Sequence, residues 1–352
     1  MGRETSTVES KEWYMAAYAP QGVPTSDHLK LRTLTLSLGD DHIPDGHLAV
    51  EILWISVDPY LRVKMTGRKD GLDMPPFQLD QVISSVGIGR VISSKDKNYK
   101  EGEIVLSFEF PVGEFCIIPS KMIMRKIEPV EGITPPHYLS CIGIAGFAAW
   151  VGIEVIGEPK AGSNVFISAA AGGVGMVAGQ LAKLKGCRVI GSAGSDDKIK
   201  LLKEEFGYDD AFNYNKETDF DAALSKYFPE GIDLYLDNVG GSMLEAVLNH
   251  VNNHARIPLC GMISQYNKDC TKRDGIRNLF NMIGKEVRME GFMIGSHLMN
   301  HFPDFVNEME GYLSQGKMHF KHKIFNGIDR FLEGFASMFS SSNIGKVIIQ
   351  LK

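Results

Sequence analysis

The small-residue run Ser168-Ala169-Ala170-Ala171-Gly172-Gly173-Val174-Gly175 follows the apolar stretch 164–168, and Val174, Val177, Leu181 and Leu184 recur after it at helical spacing. Strand, glycine turn and helix in that order can hold a phosphate. Glycines let the backbone approach a pyrophosphate, and the helix start offers unpaired N–H groups and a positive dipole end. A tight turn without a ligand has the same grammar, so the neighbours must decide. In a site for NAD, an acidic residue about twenty positions beyond the glycines binds the adenosine ribose. Here the second apolar stretch, 187–192, is followed by Ala193-Gly194-Ser195, with no acid. A small residue there leaves room for a 2′-phosphate. Lys198, one turn into the next helix, supplies a point cation, and Tyr214 a hydroxyl donor. This pattern selects NADPH over NADH. Asp196 and Asp197 leave the preference intact as solvated first-turn acids, and blur it if turned inward.

These residues need a scaffold of alternating strands and helices, and the sequence supplies one from about residue 164. After the helix to 185 come a strand at 187–192 and a helix over 196–206. A short strand at 211–214 and a short helix at 219–227 follow. Apolar 232–236 precedes Gly240-Gly241 and a helix to 250. Strands are expected at 255–260 and 287–294, with a helix near 276–283 between them. Repeated βα units imply a doubly wound parallel sheet. Residues 31–127 read differently, as short alternating strands separated by Gly, Pro, Lys and Asp, which suggests a small barrel or sandwich. Pro135-Pro136 ends that pattern, and 137–155 reads as a single helix at a hinge. A helix around 305–313 and a strand at 346–351 close the chain. The expected division is 1–138 for the β-rich domain, 139–305 for the nucleotide domain, and 306–352 returning to the first.

Composition limits the function. The chain has 352 residues, enough for about two domains. With 44% hydrophobic and 23% charged residues it is an ordinary globular chain. A net charge of −6 without a basic face argues against nucleic acid. No apolar run is long enough to span a bilayer, and no secretory signal is expected from an opening without a positive n-region before an apolar core. Residues 1–6 fit a loose myristoylation template but lack a second anchoring signal. Cys116, Cys141, Cys187, Cys260 and Cys270 are odd in number and free of CxxC spacing, which fits a reducing, cytoplasmic setting.

Several motifs together resemble the zinc-independent medium-chain dehydrogenase/reductases, and within them the plant 2-alkenal (double-bond) reductases related to leukotriene B4 12-hydroxydehydrogenase. They are Ser56-Val57-Asp58-Pro59-Tyr60, the 168–175 turn, Gly191-Ser192-Ala193-Gly194-Ser195, and Phe206-Gly207-Tyr208-Asp209-Asp210-Ala211-Phe212-Asn213-Tyr214. Asp237-Asn238-Val239-Gly240-Gly241 and Cys260-Gly261-Met262-Ile263-Ser264-Gln265-Tyr266 complete the set. The resemblance covers most of the chain. It implies an α/β protein with a GroES-like β-rich domain and a Rossmann domain, a cleft between them, and a homodimer. It implies that NADPH is bound by Ala171, Gly172, Gly173, Val174, Gly175, Gly194, Ser195, Lys198, Tyr214, Asn238, Cys260, Tyr266, Phe292, Asn343 and Gly345. Tyr266 and Tyr60 are implied to line the reacting centre. Either Tyr266 gives up a proton, or it orients cofactor and substrate while other groups supply it.

The implied chemistry is reduction of a C=C bond conjugated to an aldehyde or ketone, with hydride added at the β-carbon and a proton at the α-carbon. A hydroxyl donor is needed where charge develops on the carbonyl oxygen. No metal site is expected: no Cys precedes Tyr60, no His-Glu pair follows, and His28, His42, His47 and His137 read as isolated surface or capping residues. The chain departs from its plant relatives at Ser85-Val86-Gly87, where many carry Gly-Tyr-Gly, and at Ala145, Ala148 and Trp150. Phe108 and Phe110 are expected to add aromatic bulk in a loop at the cleft. Two alternatives stand beside this reading: a quinone or prostaglandin-type enone reductase, and a non-catalytic NADPH-binding structural or regulatory protein.

Overall fold

A computed structural model of the chain describes residues 7–69, 74–295 and 297–352. The myristoylation template at 1–6 lies outside the described residues. In chain order the strands are β1 (Thr7–Met15), β2 (Leu29–Ser37), β3 (His47–Ser56), β4 (Ser84–Ser94), β5 (Ile104–Pro111), β6 (Phe115–Pro119), β7 (Ile123–Lys126), β8 (Asn164–Ile167), β9 (Arg188–Ala193), β10 (Asp210–Asn213), β11 (Ile232–Leu236), β12 (Val251–Leu259), β13 (Arg288–Gly291), β14 (His322–Asn326) and β15 (Lys346–Gln350). They fall into two compact units. One takes the chain to Leu139 together with 322–342 and 347–352, and the other takes 140–321 and 343–346.

In the first unit a seven-stranded sheet runs β14-β15-β3-β4-β5-β7, with β6 paired to β3, and β1-β2 form a separate antiparallel ribbon. Alternation puts Ile52, Val91, Val105 and Phe110 into a core that also takes Trp13, Phe331 and Phe335. Trp13 belongs to this core because its indole N–H donates to the Ile328 carbonyl at 2.8 Å. A strand at 7–15 was not expected, since Glu9, Lys11 and Glu12 interrupt its apolar alternation. Only its pairing with β2, Thr7 opposite Ser37 through Met15 opposite Leu29, makes it a strand.

In the second unit six strands lie in the order β10-β9-β8-β11-β12-β13, and every pairing is parallel. This is the doubly wound order in which the chain reverses direction across the sheet between β8 and β11. The helices Gly175–Leu184, Asp196–Glu204, Phe220–Tyr227 and Gly241–His250 connect the strands. The core is aromatic: Phe166 stacks on Tyr235 with ring centroids 5.0 Å apart and lies 5.7 Å from Phe212.

Two expectations about the helices are corrected. The single helix at 137–155 is three pieces, Pro135–Tyr138, Ile144–Trp150 and a π-helical Val151–Gly157. The break has a steric cause, because a Cβ on Gly146 would lie 2.0 Å from the Cys141 carbonyl oxygen, so the chain folds back over that glycine. The helix Phe302–Ser314 belongs to the second unit, where Phe305 is fully buried with its ring 5.1 Å from Phe147. Residues 306–321 and 343–346 therefore do not accompany the segment that joins the first unit.

Candidate cofactor and active site

Within the second unit, Ser168, Gly194, Tyr214, Asn238, Cys260 and Phe292 all lie just past the carboxyl ends of the parallel strands, where an open α/β sheet binds its ligands. The turn after β8 is shaped by clearance. None of Gly172, Gly173 and Gly175 has a positive φ, and the left-handed residue is Ala169, at +48°. Gly175 is glycine because a Cβ there would sit 2.5 Å from the Ala170 Cα and 2.6 Å from the Ala169 oxygen. The Gly172 amide donates to the Ala169 carbonyl and the Met176 amide to the Gly172 carbonyl, each at 3.0 Å. Among the described residues, the N–H groups of Val174 and Gly175 meet no protein acceptor, while that of Gly173 faces the Gly345 carbonyl in the parallel bridge between Gly172 and Gly345. Two adjacent free amides at a helix start make a cradle that suits a pyrophosphate.

Gly345 closes one side of the turn. It pairs with Gly172, and its amide donates to the Ala171 carbonyl at 2.8 Å. Its φ is +66°, and a Cβ would lie 1.9 Å from the Lys321 carbonyl oxygen, so only glycine fits. The Asn343 amide reaches the Gly345 carbonyl at 3.5 Å. Lys346, which the sequence reading passed over, is 4% exposed, and its side chain lies against Gly173.

At the end of β9 the Gly194 carbonyl accepts from Asn215 Nδ2 at 2.8 Å. The Ser195 hydroxyl caps the next helix by accepting the Lys198 amide at 3.4 Å. Asp196 is turned outward, accepting from Asn213 Nδ2 at 2.9 Å and Lys216 Nζ at 2.5 Å, and these two partners hold its carboxyl below the ordinary range. Asp197 is exposed. The Lys198 side chain instead is buried, Tyr214 is half-buried, and the buried Ser192 hydroxyl has no protein partner among the described residues. A buried lysine, an orphaned hydroxyl and no inward carboxylate fit a 2′-phosphate.

Past β11, Asp237 organises the opposite end. Its Oδ1 accepts from the Tyr235 hydroxyl at 2.7 Å and from the Val239 and Gly240 amides at 2.8 Å. Its carbonyl accepts the Cys260 amide at 2.9 Å and the Gly261 amide at 3.0 Å. Burial holds this carboxyl above its ordinary value. Asn238 donates Nδ2 to the Ser168 carbonyl at 2.8 Å and accepts the Ile263 amide on its own carbonyl at 3.1 Å. The Phe292 amide bonds the Leu259 carbonyl at 3.4 Å. These bonds join the ends of β8, β11, β12 and β13 into one rim.

Tyr266 ends the short turn Ile263–Gln265 on that rim. Its hydroxyl accepts the Met262 amide at 3.2 Å, which leaves its proton available to a second partner. Burial pushes the phenol up to about 12, with the Met262 amide opposing and Cys260 and Asp237 adding to the rise. At neutral pH Tyr266 is a donor and not a base. Burial likewise pushes the Cys260 thiol up to about 12, so it carries no thiolate.

In the first unit, Tyr60 precedes the helical turn Leu61–Lys64 and packs against the core. Burial, and then the Asp58 and Glu109 charges, hold its phenol well above the ordinary value. The Ser56 hydroxyl donates to Asp58, and the buried Ser85 hydroxyl to the Ser56 carbonyl at 2.7 Å. Phe110, expected in a loop, lies fully buried on β5, where Gly87 and Gly89 of β4 leave room for its ring. Phe108 is on the same strand. Val86 is also buried. Trp150, in the second unit, donates its indole N–H to Glu308 at 2.7 Å and lies beside Phe147 and Phe305, so its extra ring is spent on packing.

Among the described residues no three His, Cys, Asp or Glu side chains are grouped to hold a metal ion. His28 and His137 bond Thr25 and Thr134 at the starts of their turns. Asp237 and Lys346 shape the site without having been singled out by the sequence. Asp237 stands in a quoted motif, but nothing in sequence spacing reveals a burial that long-range packing creates.

The sequence model of the family described as zinc-binding dehydrogenase matches residues 173–311, and that described as the N-terminal domain of oxidoreductase matches 11–124. The chain is 37% identical to the (+)-pulegone reductase of Mentha piperita over 348 residues, covering 97% of this chain and 98% of that one. It is 36% identical to the 2-alkenal reductase (NADP(+)-dependent) of Nicotiana tabacum, covering 98% of both. The crystal structure of CurA from Vibrio vulnificus in complex with NADPH superposes with a TM-score of 0.88 at 31% identity, over 97% of this chain and 99% of that one.

Proposed function

Because this chain belongs to the zinc-independent medium-chain dehydrogenase/reductase family, among its NADP-dependent double-bond reductases, we propose that it reduces the C=C bond of α,β-unsaturated aldehydes or ketones with NADPH. The carrying observation is whole-length similarity to two reductases whose named substrates, pulegone and 2-alkenals, both conjugate an alkene to a carbonyl. When bound, NADPH supplies the hydride that adds to the β-carbon. The chain's own part is to hold the phosphates, to place a donor at the carbonyl oxygen and to keep that donor protonated. Val174 and Gly175 offer their amides to the pyrophosphate, with Gly172 and Gly173 letting it approach the backbone, and Lys198 with Tyr214 takes the 2′-phosphate. Tyr266 donates its hydroxyl to the carbonyl oxygen as charge develops there, and its elevated phenol keeps the proton in place for that task. Tyr60 is proposed as a second donor, also held protonated.

The experiment is NADPH consumption with product identification over alkenals, cyclic enones, phenylpropenals and quinones in the presence of a chelator. Saturated aldehydes or ketones are expected as products. Turnover of simple alcohols alone, or loss of activity on removing zinc, overturns the proposal, and turnover of quinones alone moves it to a quinone reductase. We further propose a homodimer in a reducing, cytoplasmic setting. Support comes from the exposed Phe280 and Ile283, 80% and 74% accessible, on the segment that leads into the edge strand β13, and from five cysteines that are all free. Among the described residues no helix is long and apolar enough to cross a membrane.

A further inference from the structure

Tyr208 lies outside every role assigned above, yet its side chain occupies a slot made for it beneath the glycine turn. The ring is 3% exposed. A Cβ on Gly179 would sit 2.1 Å from both the phenolic oxygen and Cζ, and a Cβ on Gly191 would sit 2.9 Å from Cε1. Two glycines, one on the helix Gly175–Leu184 and one on β9, thus leave a space that the ring fills. At its end the hydroxyl donates to the Gly175 carbonyl at 2.7 Å. Gly175 is the first residue of the helix and the second of the two amides that meet no protein acceptor among the described residues. The hydroxyl therefore fixes the peptide plane that follows the cradle.

The same residue begins the approach to the other phosphate site. Its amide bonds the Leu202 carbonyl at 3.0 Å, on the helix that carries Lys198, and the chain runs from it through β10 to Tyr214. We propose that Tyr208 is a positioning residue for the cofactor, which sets the first turn of the helix so that the Val174 and Gly175 amides converge on the pyrophosphate. It touches no ligand itself and acts through Gly175. This inference rests on the NADPH reading above.

The test is Tyr208→Phe in the full chain, which keeps the ring in its slot and deletes only the hydroxyl. Dissociation constants are measured by fluorescence titration for NADPH and for adenosine 2′-monophosphate, which has the 2′-phosphate and no pyrophosphate. NADPH binding is expected to weaken about five-fold, the equivalent of one neutral hydrogen bond, with binding of the monophosphate changed less than two-fold. Leu181→Val is the control, because Leu181 is 1% exposed on the same helix and its truncation costs packing without touching the hydroxyl bond. It is expected to lower the melting temperature and leave both constants in their wild-type ratio. Equal weakening of both ligands in Tyr208→Phe, unchanged NADPH binding, or the same change of ratio in Leu181→Val overturns the proposal. Wild-type protein that binds neither nucleotide overturns the cofactor reading itself, and this inference with it.

Discussion

Replacing Lys198 with Ala tests the cofactor reading most directly. The side chain is buried at the first turn of the helix Asp196–Glu204, while the two acids on that turn face solvent. A hydrogen bond from an ammonium to a phosphate is worth about 1.5–3 kcal/mol, or roughly ten- to 150-fold in affinity. About 2 kcal/mol, near thirty-fold, is expected in the dissociation constant of NADPH, with that of NADH changed less than two-fold. The ratio is the informative quantity, because any general loosening from the missing lysine stem enters both constants alike. Lys216→Ala serves as a companion: it releases one of two partners of Asp196, while Asn213 still holds the carboxylate outward. Its effect on the ratio is expected below about three-fold, since a partly screened surface pair is worth at most about 1 kcal/mol. Fluorescence titration with both nucleotides measures all four constants. Parallel losses for NADPH and NADH, or an unchanged preference, would refute the assignment of Lys198 to the 2′-phosphate.

Tyr266→Phe is expected to lower kcat about a hundred-fold while leaving NADPH affinity unchanged, as removal of a donor aimed at developing charge does; steady-state kinetics and titration together check it, and an unaltered kcat would remove the tyrosine from the reacting centre. The Tyr266 proton is lost only as pH rises through about 12, so its donor function is fully present below that value and kcat should show no tyrosine-dependent inflection between pH 6 and 9. Gly175→Ala places a Cβ 2.5 Å from a backbone carbon, so the turn must shift; a stability loss of about 1–3 kcal/mol in urea unfolding and collapse of NADPH binding are expected. Phe280→Glu, on a side chain 80% accessible, should convert a dimer to a species near 38.9 kDa by light scattering, and a wild type already at that mass would dismiss the homodimer.

How much of this could be read from the chain differs by element. The strands β8 to β13 were visible because buried parallel strands are short apolar runs, and Gly or charged turns bracket each of them. The glycine turn and the missing acid after β9 were visible for a related reason: backbone clearance and charge are properties of residue types at fixed spacing. β1 was not visible. A third of its residues are charged, and only the partner ribbon supplies the ladder that defines it. The helix expected at 137–155 failed because a contact between Gly146 and Cys141, five residues apart, outweighs local propensity.

The sequence alone determined the two grammars of the chain, the glycine-rich turn after β8 and the preference for a cofactor with a 2′-phosphate, since each depends on local periodicity, glycine placement or the absence of a charge. Tertiary structure alone decided which way Asp196 faces, that Ala169 rather than a glycine takes the left-handed conformation, and that Phe110 belongs to a core. It alone set Gly345 against Ala171 and Tyr208 beneath Gly175. Those outcomes join residues that are up to 174 positions apart, counting from Ala171 to Gly345, and no local pattern encodes a hydrogen bond whose two ends meet only after the sheet has assembled.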